Sequence, residues 1–246
     1  MSLSQDAFLG GRVSAWQRTT GYRAATDAVF LAAACPAEPG QSVLELGCGV
    51  GVAALCLSAR VPSLTIAGVE IQPDYAQLAE RNAREAHAPV TVYQADLSEL
   101  PAPLRQQSFD HVIANPPFFN GGSRSENAGR AQARHETTAL ADWTNTARRR
   151  LKPNGSLTVI MTTERLPDII THLGDGFGDL TVLPLASRRG RPPSRFLAKA
   201  RKGSAAGFRL LSPLVLHAGD AHRRDGDDYS DQARDILRNA ARISWG

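Results

Sequence analysis

Residues 42–54 read Ser-Val-Leu-Glu-Leu-Gly-Cys-Gly-Val-Gly-Val-Ala-Ala, an apolar run that ends in three alternating glycines and continues into a helix-like segment. Glycine permits a tight strand-to-helix turn and lets a ligand approach the backbone without a Cβ in the way. Gly47, Gly49 and Gly51 therefore predict the first strand–loop–helix unit of an α/β domain, with an adenosine-type cofactor bound over the loop.

The spacing of these glycines argues against a nicotinamide dinucleotide. That class of site needs the pattern Gly-x-Gly-x-x-Gly. Counted from Gly47 the sixth position is Val52, and counted from Gly49 it is Ala54. The loop therefore belongs to another kind of nucleoside-binding site.

Further apolar runs alternate with amphipathic segments along the chain, which predicts βαβ units and a mostly parallel sheet covered on both faces. The strand-like runs are 42–47, 64–71, 90–95, 109–115 and 156–163, and the helix-like segments are about 51–60, 73–87 and 138–151. Extended pieces near 179–186, 195–201 and 208–217 would complete and flank the sheet. Residues 230–243 have helical periodicity, with Ser230 as N-cap and Ile236, Leu237 and Ala240 on one face.

Polar residues end the predicted strands, where open parallel sheets bind their ligands. Glu70 lies nineteen residues after Gly51 and can accept hydrogen bonds from both ribose hydroxyls. Ile71 can pack on the adenine, and Asp96 can accept from its exocyclic amine. Glu45 lies beneath the glycine loop, where it can hold the loop or meet the ammonium of a methionine moiety.

Each of these residues also has a purely structural interpretation. Asp96 precedes Leu-Ser-Glu and can cap a short helix, while Glu70 can be a solvated strand end. The glycines can be ordinary turn residues. The joint spacing on three successive strand ends favours the ligand-binding interpretation.

Asn115-Pro116-Pro117-Phe118 follows the fourth strand-like run, and the two prolines predict a loop from about 118 to 136. An aromatic amine is a poor nucleophile because its lone pair is delocalised into the ring. The Asn115 side-chain oxygen and the Pro116 carbonyl can accept from its N–H groups and favour a pyramidal nitrogen, while Phe118 can stack on the base. The alternative is an Asn-Pro turn that closes a strand.

Composition and charge limit the classes of protein that fit. With 246 residues, 42% of them hydrophobic, the chain can form one large α/β domain or a domain with a small appendage. No apolar stretch reaches the roughly 20 residues of a membrane span, and no signal pattern is present, so we expect a soluble, cytoplasmic protein. Three cysteines lack metal-type spacing, so we expect neither a metal site nor a disulfide scaffold.

The net charge is +4, and residues 188–202 carry seven Lys or Arg and no acidic residue. Such a run predicts a phosphate-binding face, with an ordinary solvated edge as the alternative. The candidate contacts for a nucleic-acid substrate, which the resemblance described next implies is RNA, are Phe118, Arg188, Arg189, Arg191, Arg195 and Lys199.

The glycine loop and the Asn-Pro-Pro-Phe sequence resemble class I methyltransferases that methylate amino groups. More narrowly, the chain is similar to the bacterial tRNA (adenine-N6)-methyltransferase family, which modifies the adenosine next to the anticodon of a valine tRNA. The similar segments are 21–32 (Gly-Tyr-Arg-Ala-Ala-Thr-Asp-Ala-Val-Phe-Leu-Ala), 134–138 (Arg-His-Glu-Thr-Thr) and 225–230 (Asp-Gly-Asp-Asp-Tyr-Ser). Phe118 replaces the commoner Tyr, and Ala25 stands where Gly is frequent.

The resemblance implies one Rossmann-like domain over residues 1–246, with a doubly wound, mostly parallel sheet of seven strands. It implies S-adenosylmethionine as cofactor, tRNA as partner, and a segment 1–40 that closes over the cofactor through Tyr22, Thr26 and Asp27. Thr26 or Asp27 can equally cap a helix. The oligomeric state stays open.

Three other functions remain possible from the sequence. A protein-glutamine methyltransferase of the release-factor type has a very similar motif, but carries an N-terminal helical domain, and only about 40 residues precede the first strand here. A DNA adenine methyltransferase would need a large target-recognition insertion. A non-catalytic module that binds S-adenosylmethionine or RNA would have no need for the acceptors of Asn115 and Pro116.

Overall fold

In a computed structural model of the chain, residues 2–117, 140–219 and 228–246 are described. Phe118, the predicted loop that follows it, the 134–138 segment and residues 225–227 lie outside this range. Eleven strands and seven helices are found within it. The strands are β1 (Leu3–Phe8), β2 (Val13–Arg18), β3 (Ser42–Leu46), β4 (Thr65–Glu70), β5 (Val90–Gln94), β6 (Phe109–Ala114), β7 (Leu151–Thr162), β8 (Phe177–Ala186), β9 (Arg195–Lys202), β10 (Arg209–Leu210) and β11 (Leu214–Val215). The helices are α1 (Thr26–Ala34), α2 (Val52–Arg60), α3 (Pro73–Glu85), α4 (Ala102–Arg105), α5 (Leu140–Arg150), α6 (Leu166–Leu173) and α7 (Asp231–Asn239).

The central sheet confirms the predicted doubly wound architecture. Its order is β10-β8-β9-β7-β6-β3-β4-β5, with β11 paired to β8. The five strands β7, β6, β3, β4 and β5 are parallel, and β9 runs antiparallel between β7 and β8. These seven long strands are the predicted seven, and the two-residue strands β10 and β11 extend the edge at β8.

The order of the strands reverses between β3 and β6. From β3 the chain winds outward through β4 and β5, and it then returns to place β6 on the other side of β3. Ligands of open α/β sheets bind at such a switch point, outside the carboxyl ends of the strands. The glycine loop follows β3 and Asn115 follows β6, so the fold brings the two sequence motifs to this one crevice.

Two apolar layers cover the sheet, one on each face, which is why its strands are apolar throughout rather than alternating. Val43 and Ile113 pack with α1, α2 and α7 on one face. Leu44 and Val112 pack with α5 and α6 on the other. The three cysteines are buried free thiols. None of the helices in the described ranges is long and apolar enough to cross a bilayer.

The C-terminal helix is shorter than its periodicity predicts. Ser230 is the N-cap, as predicted, and its hydroxyl oxygen accepts from the backbone N–H of Ala233 at 3.2 Å. The helix ends at Asn239, however, because Ala240 adopts a left-handed conformation with φ 60°. The tail then docks on α1, where Ile243 and Trp245 donate to the carbonyls of residues 33 and 34.

Two N-terminal elements lie outside the predicted strands and helices, although the cap interpretation of Thr26 or Asp27 does imply a helix start at the second one. The hairpin of β1 and β2 pairs antiparallel from Leu3 opposite Arg18 to Phe8 opposite Val13. Helix α1 is apolar on nearly all sides and packs between α2, α7 and the sheet. Strand β7 also begins at Leu151, earlier than the predicted position 156.

Candidate active site

The glycine loop lies between two aromatic side chains. Gly47, Gly49 and Gly51 have φ values of 63°, 56° and 84°. A Cβ on Gly47 would lie 2.5 Å from Cη2 of Trp143, and a Cβ on Gly49 would lie 3.4 Å from Cε1 of Tyr22. At position 47 both the backbone conformation and the adjacent indole therefore require glycine.

Glu70 is not a solvated strand end. It is buried at the end of β4, with 2% of its surface exposed. Its carboxylate accepts from the backbone N–H of Gly49 at 2.9 Å and from that of Gln72 at 2.8 Å. The side chain thus ties the glycine loop to the neighbouring strand, and a carboxylate can accept more than two hydrogen bonds.

Glu45 is buried under the same loop. Its Oε2 accepts from the backbone N–H of Ala54, in the first turn of α2, at 3.0 Å. Burial raises the pKa of this carboxyl to about 8; the hydrogen bond from Ala54 opposes the shift and the charge of Glu70 adds to it. Of the two predicted roles, this contact is the one that holds the loop and its helix.

Asp96 and Ile71 meet the glycine loop on its other side. A narrow cleft there is lined by Gly47, Ile71, Asp96 and Trp143, together with apolar neighbours. Asp96 caps a turn rather than a helix, because its Oδ1 accepts from the backbone N–H and the hydroxyl of Ser98 at 2.8 and 2.7 Å. The structure thus brings together the three strand ends that carry Gly47, Ile71 and Asp96.

Asn115 carries an unpaired acceptor just after the carboxyl end of β6. Its Oδ1 is buried and has no hydrogen-bond partner among the described residues. An unsatisfied buried acceptor costs about 1–3 kcal/mol, so its presence requires an explanation. Pro116 is buried next to it, and Pro117 is half-buried.

Tyr22 lies over the loop and contacts Asn115. About half of its surface is exposed, yet its pKa is raised to about 12 by desolvation and by the charges of Glu45, Asp27 and Glu70. The neighbouring Asn115 side chain lowers the pKa and so opposes this shift.

The segment around Tyr22 is held by α3 and β9. The Tyr75 hydroxyl donates to the carbonyl of Tyr22 at 3.2 Å. Thr26 and Asp27 are the first residues of α1, but Ala25 is the N-cap and no side chain caps the helix. Thr26 is exposed, and Asp27 forms an ion pair with Arg195 at 3.2 Å.

Comparison with known proteins identifies the family. The methyltransferase small domain matches residues 24–187, about two thirds of the chain, which include the glycine loop, Glu70, Asp96 and Asn115 but not Tyr22. A tRNA1(Val) (adenine(37)-N6)-methyltransferase of Porphyromonas gingivalis is 33% identical over 86% of this chain and 88% of its own length. The chain belongs to this methyltransferase family. A homologue of the same name from Shewanella frigidimarina is 31% identical over 62% of the chain and 64% of its own length.

Solved methyltransferases share the fold. A predicted O-methyltransferase from Agrobacterium tumefaciens superposes with a TM-score of 0.71 at 24% identity, over 88% of this chain and 98% of its own. The 16S rRNA N2 G1207 methyltransferase of T. thermophilus, solved with AdoMet and guanosine, gives a TM-score of 0.58 at 18% identity. It aligns with 82% of this chain and 50% of its own. At these identities the likeness extends to the fold alone.

The basic residues between positions 188 and 202 of this methyltransferase lie in different surroundings. Arg188 pairs with Asp228 at 2.5 Å, and Arg195 pairs with Asp27, so both face carboxylates of the protein. Arg189 and Arg191 are exposed in the turn between β8 and β9. Lys199 lies farther along β9, over the ring of Trp245. The run therefore does not form one continuous face.

Two residues of the site escaped the sequence interpretation. Asn82 is buried on α3, donates to the carbonyls of Val50 at 2.9 Å and Trp16 at 3.1 Å, and so fastens the glycine loop to the hairpin. Its signal was a polar residue in line with Tyr75 and Ala79 on the apolar face of α3. Trp143, which packs on Gly47, stands out in the sequence only as an aromatic residue on an amphipathic helix.

Proposed function

We propose that this chain transfers a methyl group from S-adenosylmethionine to the exocyclic N6 of an adenine in tRNA. The observation that carries the proposal is the buried, unpaired Oδ1 of Asn115, placed beside a glycine loop at the switch point of the sheet. The relatives named tRNA1(Val) (adenine(37)-N6)-methyltransferase support adenine 37 of that tRNA as the target. A tRNA substrate also supports a cytoplasmic location.

The donor set of the crevice fits the cofactor, which supplies an electrophilic methyl group on a sulfonium sulfur. The backbone of the loop with Gly47, Gly49 and Gly51 can approach it closely. Glu70 would accept from the ribose hydroxyls, since carboxylates are acceptor-only groups. Ile71 would pack on the adenine, and Asp96 would accept from the adenine amine.

Glu45 would face the ammonium of the methionine moiety. A carboxyl with a pKa near 8 is largely protonated at neutral pH, and a nearby cation would favour its ionised form. We therefore expect the cofactor to bind together with release of a proton from Glu45. The same carboxylate would keep its hydrogen bond to the start of α2.

Asn115 and Pro116 would activate the target nitrogen. The Asn115 Oδ1 and the Pro116 carbonyl would each accept from one N–H of the amine and favour the localised lone pair of the transition state. Pro117 would stiffen the turn, and Phe118 would stack on the extruded base. No strong base is required, because the methylated nitrogen is acidic and loses its proton to water; catalysis is mainly positioning.

The N-terminal segment and the exposed arginines would complete the substrate site. We infer a single domain over residues 1–246, in which segment 1–40 closes over the cofactor through Tyr22, Thr26 and Asp27. Arg189 and Arg191 lie in the turn before β9, whose first residue pairs with Thr162 at the carboxyl end of β7. They are therefore on the same edge of the sheet as Asn115, where tRNA phosphates would approach.

The experiment is methyl transfer from labelled S-adenosylmethionine to bulk tRNA, followed by nucleoside analysis. The wild type should produce N6-methyladenosine, and Asn115→Ala should lower kcat at least 100-fold, as loss of a transition-state acceptor does elsewhere. Asn239→Ala, which removes an exposed amide at the end of α7, is the control and should retain full activity.

Other outcomes would select another function. Label on protein glutamine would replace tRNA by a protein substrate, and label on DNA would replace it by a DNA adenine. Cofactor binding without transfer to any of these acceptors would identify a non-catalytic binding module.

A further inference from the structure

A second cleft lies at the amino-terminal ends of the strands, whereas the glycine loop lies at their carboxyl ends. It has a volume of about 330 Å³ and is formed by the connection before β3 and the amino-terminal ends of β6 and β7, with β9 as one wall. Its lining includes His111, Lys152, Ser156, Lys199 and Arg201. We call it the basal cleft.

The basal cleft is separate from the crevice of Asn115. Ser156 stands six residues before the carboxyl end of β7, which corresponds to roughly 20 Å along an extended strand. The cleft lies on the face of the sheet that packs against α1, since Ser156 and Thr158 alternate with residues of the opposite layer. A ligand there would not occupy the methyl-transfer site.

Three cations face the basal cleft, and only one of them has a close carboxylate partner. Lys152 pairs with Asp110, which is 2.8 Å away. Arg201 lies 4.0 Å from Asp179, whose charge also acts on Lys199. In the part of the chain that the structure describes, Lys199 forms no ion pair with a carboxylate, and it lies 5.3 Å from the centre of the Trp245 ring. The local charge is therefore positive.

The strands beneath Lys199 carry hydroxyls without partners. Thr158 of β7 and Thr181 of β8 both pair with Lys199 in the sheet register, which places the three side chains in one row on one face. Both threonines are fully buried, and neither hydroxyl has a hydrogen-bond partner among the described residues. These two hydroxyls lie beneath Lys199 and do not line the cleft, so Lys199 and Arg201 are the groups on this wall that a ligand can reach.

The other wall of the cleft is fixed by hydrogen bonds and carries no net charge, because its Asp110 pairs with Lys152. His111 bonds Ser156 Oγ through Nδ1 and Gln41 Oε1 through Nε2, both at 2.8 Å. Burial lowers the pKa of His111 to about 4, so the ring is neutral at physiological pH. A fixed wall without net charge opposite Lys199 and Arg201 suits a compact oxyanion.

We propose that the basal cleft binds a phosphoryl group, held by Lys199 and Arg201. Lysine is a point-charge phosphate ligand and arginine binds phosphate in a bidentate manner, so the pair fits this class of ligand. The phosphoryl group can belong to a free phosphate compound or to the backbone of the RNA. This site is independent of the methyl-transfer chemistry proposed above.

The test is isothermal titration of the full chain with inorganic phosphate and with pyrophosphate at constant ionic strength. Lys199→Met keeps the aliphatic stem on Trp245 and should weaken binding about tenfold, the effect of losing roughly 1.4 kcal/mol. Arg201→Met, at a half-exposed position, should do the same without disturbing the core. Arg84→Met removes an exposed charge on α3 and should leave phosphate binding unchanged.

Anisotropy titrations with tRNA distinguish the two sources. If the ligand is an RNA phosphate, both variants lower tRNA affinity and phosphate competes with tRNA. If it is a free phosphate compound, the variants lose phosphate binding only. Phosphate and tRNA binding that are both insensitive to Lys199 and Arg201 would overturn the proposal, whether or not the wild type methylates tRNA.

Discussion

The side-chain amide of Asn115 can be oriented by Tyr22 so that its oxygen is available to the substrate and its nitrogen is not. Tyr22 lies beside the Asn115 side chain, and the buried Asn115 Oδ1 has no hydrogen-bond partner among the described residues. If the phenol oxygen fixes this orientation, then Tyr22→Phe should lower kcat for methyl transfer about tenfold, the worth of one hydrogen bond. Cofactor affinity should change less than twofold, because the ring still lies over Gly49. Steady-state kinetics and equilibrium dialysis separate the two effects.

The matched variant for this prediction is Tyr22→Ala. It removes the ring as well as the hydroxyl, so cofactor affinity should fall together with kcat. An unchanged kcat in Tyr22→Phe would show that the hydroxyl does not position Asn115.

His111 should make stability depend on pH. Burial depresses its folded pKa to about 4, below the ordinary value of 6.5 in the unfolded chain. Its contribution is therefore fully present above pH 6.5 and is lost as the pH falls toward 4. Between pH 6.5 and 5 we expect a loss of about 1.6 kcal/mol in the free energy of unfolding.

Urea denaturation at a series of pH values measures this slope. His111→Gln keeps polar groups beside Ser156 and Gln41 but does not titrate, so its stability should be nearly constant over the same interval. An equal slope in both proteins would mean that other groups cause the decline.

Among the strands and helices, those that have a clear local hydrophobic pattern could be predicted from the sequence. Those that depend on tertiary packing could not. The five parallel strands and helices α2, α3 and α5 follow from apolar runs and periodicity, and the structure has them within a few residues. The β1–β2 hairpin and α1 lacked such a signal, because their stability comes from packing on α3, α2 and α7.

The residues of the candidate site likewise include some that could be placed from the sequence and some that could not. Gly47, Glu70 and Asp96 could be placed from sequence because strand ends of a parallel sheet meet at one edge. The partners of these residues could not, since Trp143 and Tyr22 reach the loop from distant parts of the chain. The pairing of Arg195 with Asp27 likewise depends on the fold alone.

The end of α7 gives a prediction at this scale. Ala240 has φ 60°, a left-handed conformation that costs an L-residue about 1 kcal/mol relative to glycine. Ala240→Gly should therefore stabilise the protein by roughly 0.5–1 kcal/mol, less the small loss of its methyl contact. Ala241→Gly, one residue later and without a positive φ, should be destabilising, and thermal or urea unfolding of the two variants measures the difference. Equal losses in both variants would contradict the assignment of the helix end.

For the whole molecule, the distribution of charge is more informative about the RNA contacts than the net charge of +4. Arg188 and Arg195 form ion pairs with carboxylates of the protein. Arg189 and Arg191 are exposed, at the same end of the sheet as Asn115. If these two arginines contact tRNA phosphates, the double variant Arg189→Ala/Arg191→Ala should bind tRNA more weakly. The slope of log affinity against log salt concentration should become shallower by roughly 1 to 2, because about 0.7–0.9 counterions are released per contact.

Anisotropy titrations between low and moderate salt measure that slope. The control removes the same kind of charge elsewhere: Arg84→Ala, on the exposed surface of α3, should leave both affinity and slope unchanged. A loss of affinity with no change in slope would mean that the turn between β8 and β9 acts on the shape of the site rather than on phosphates. No change at all would place the RNA on a different face of the molecule, and the paired arginines would then be the next to test.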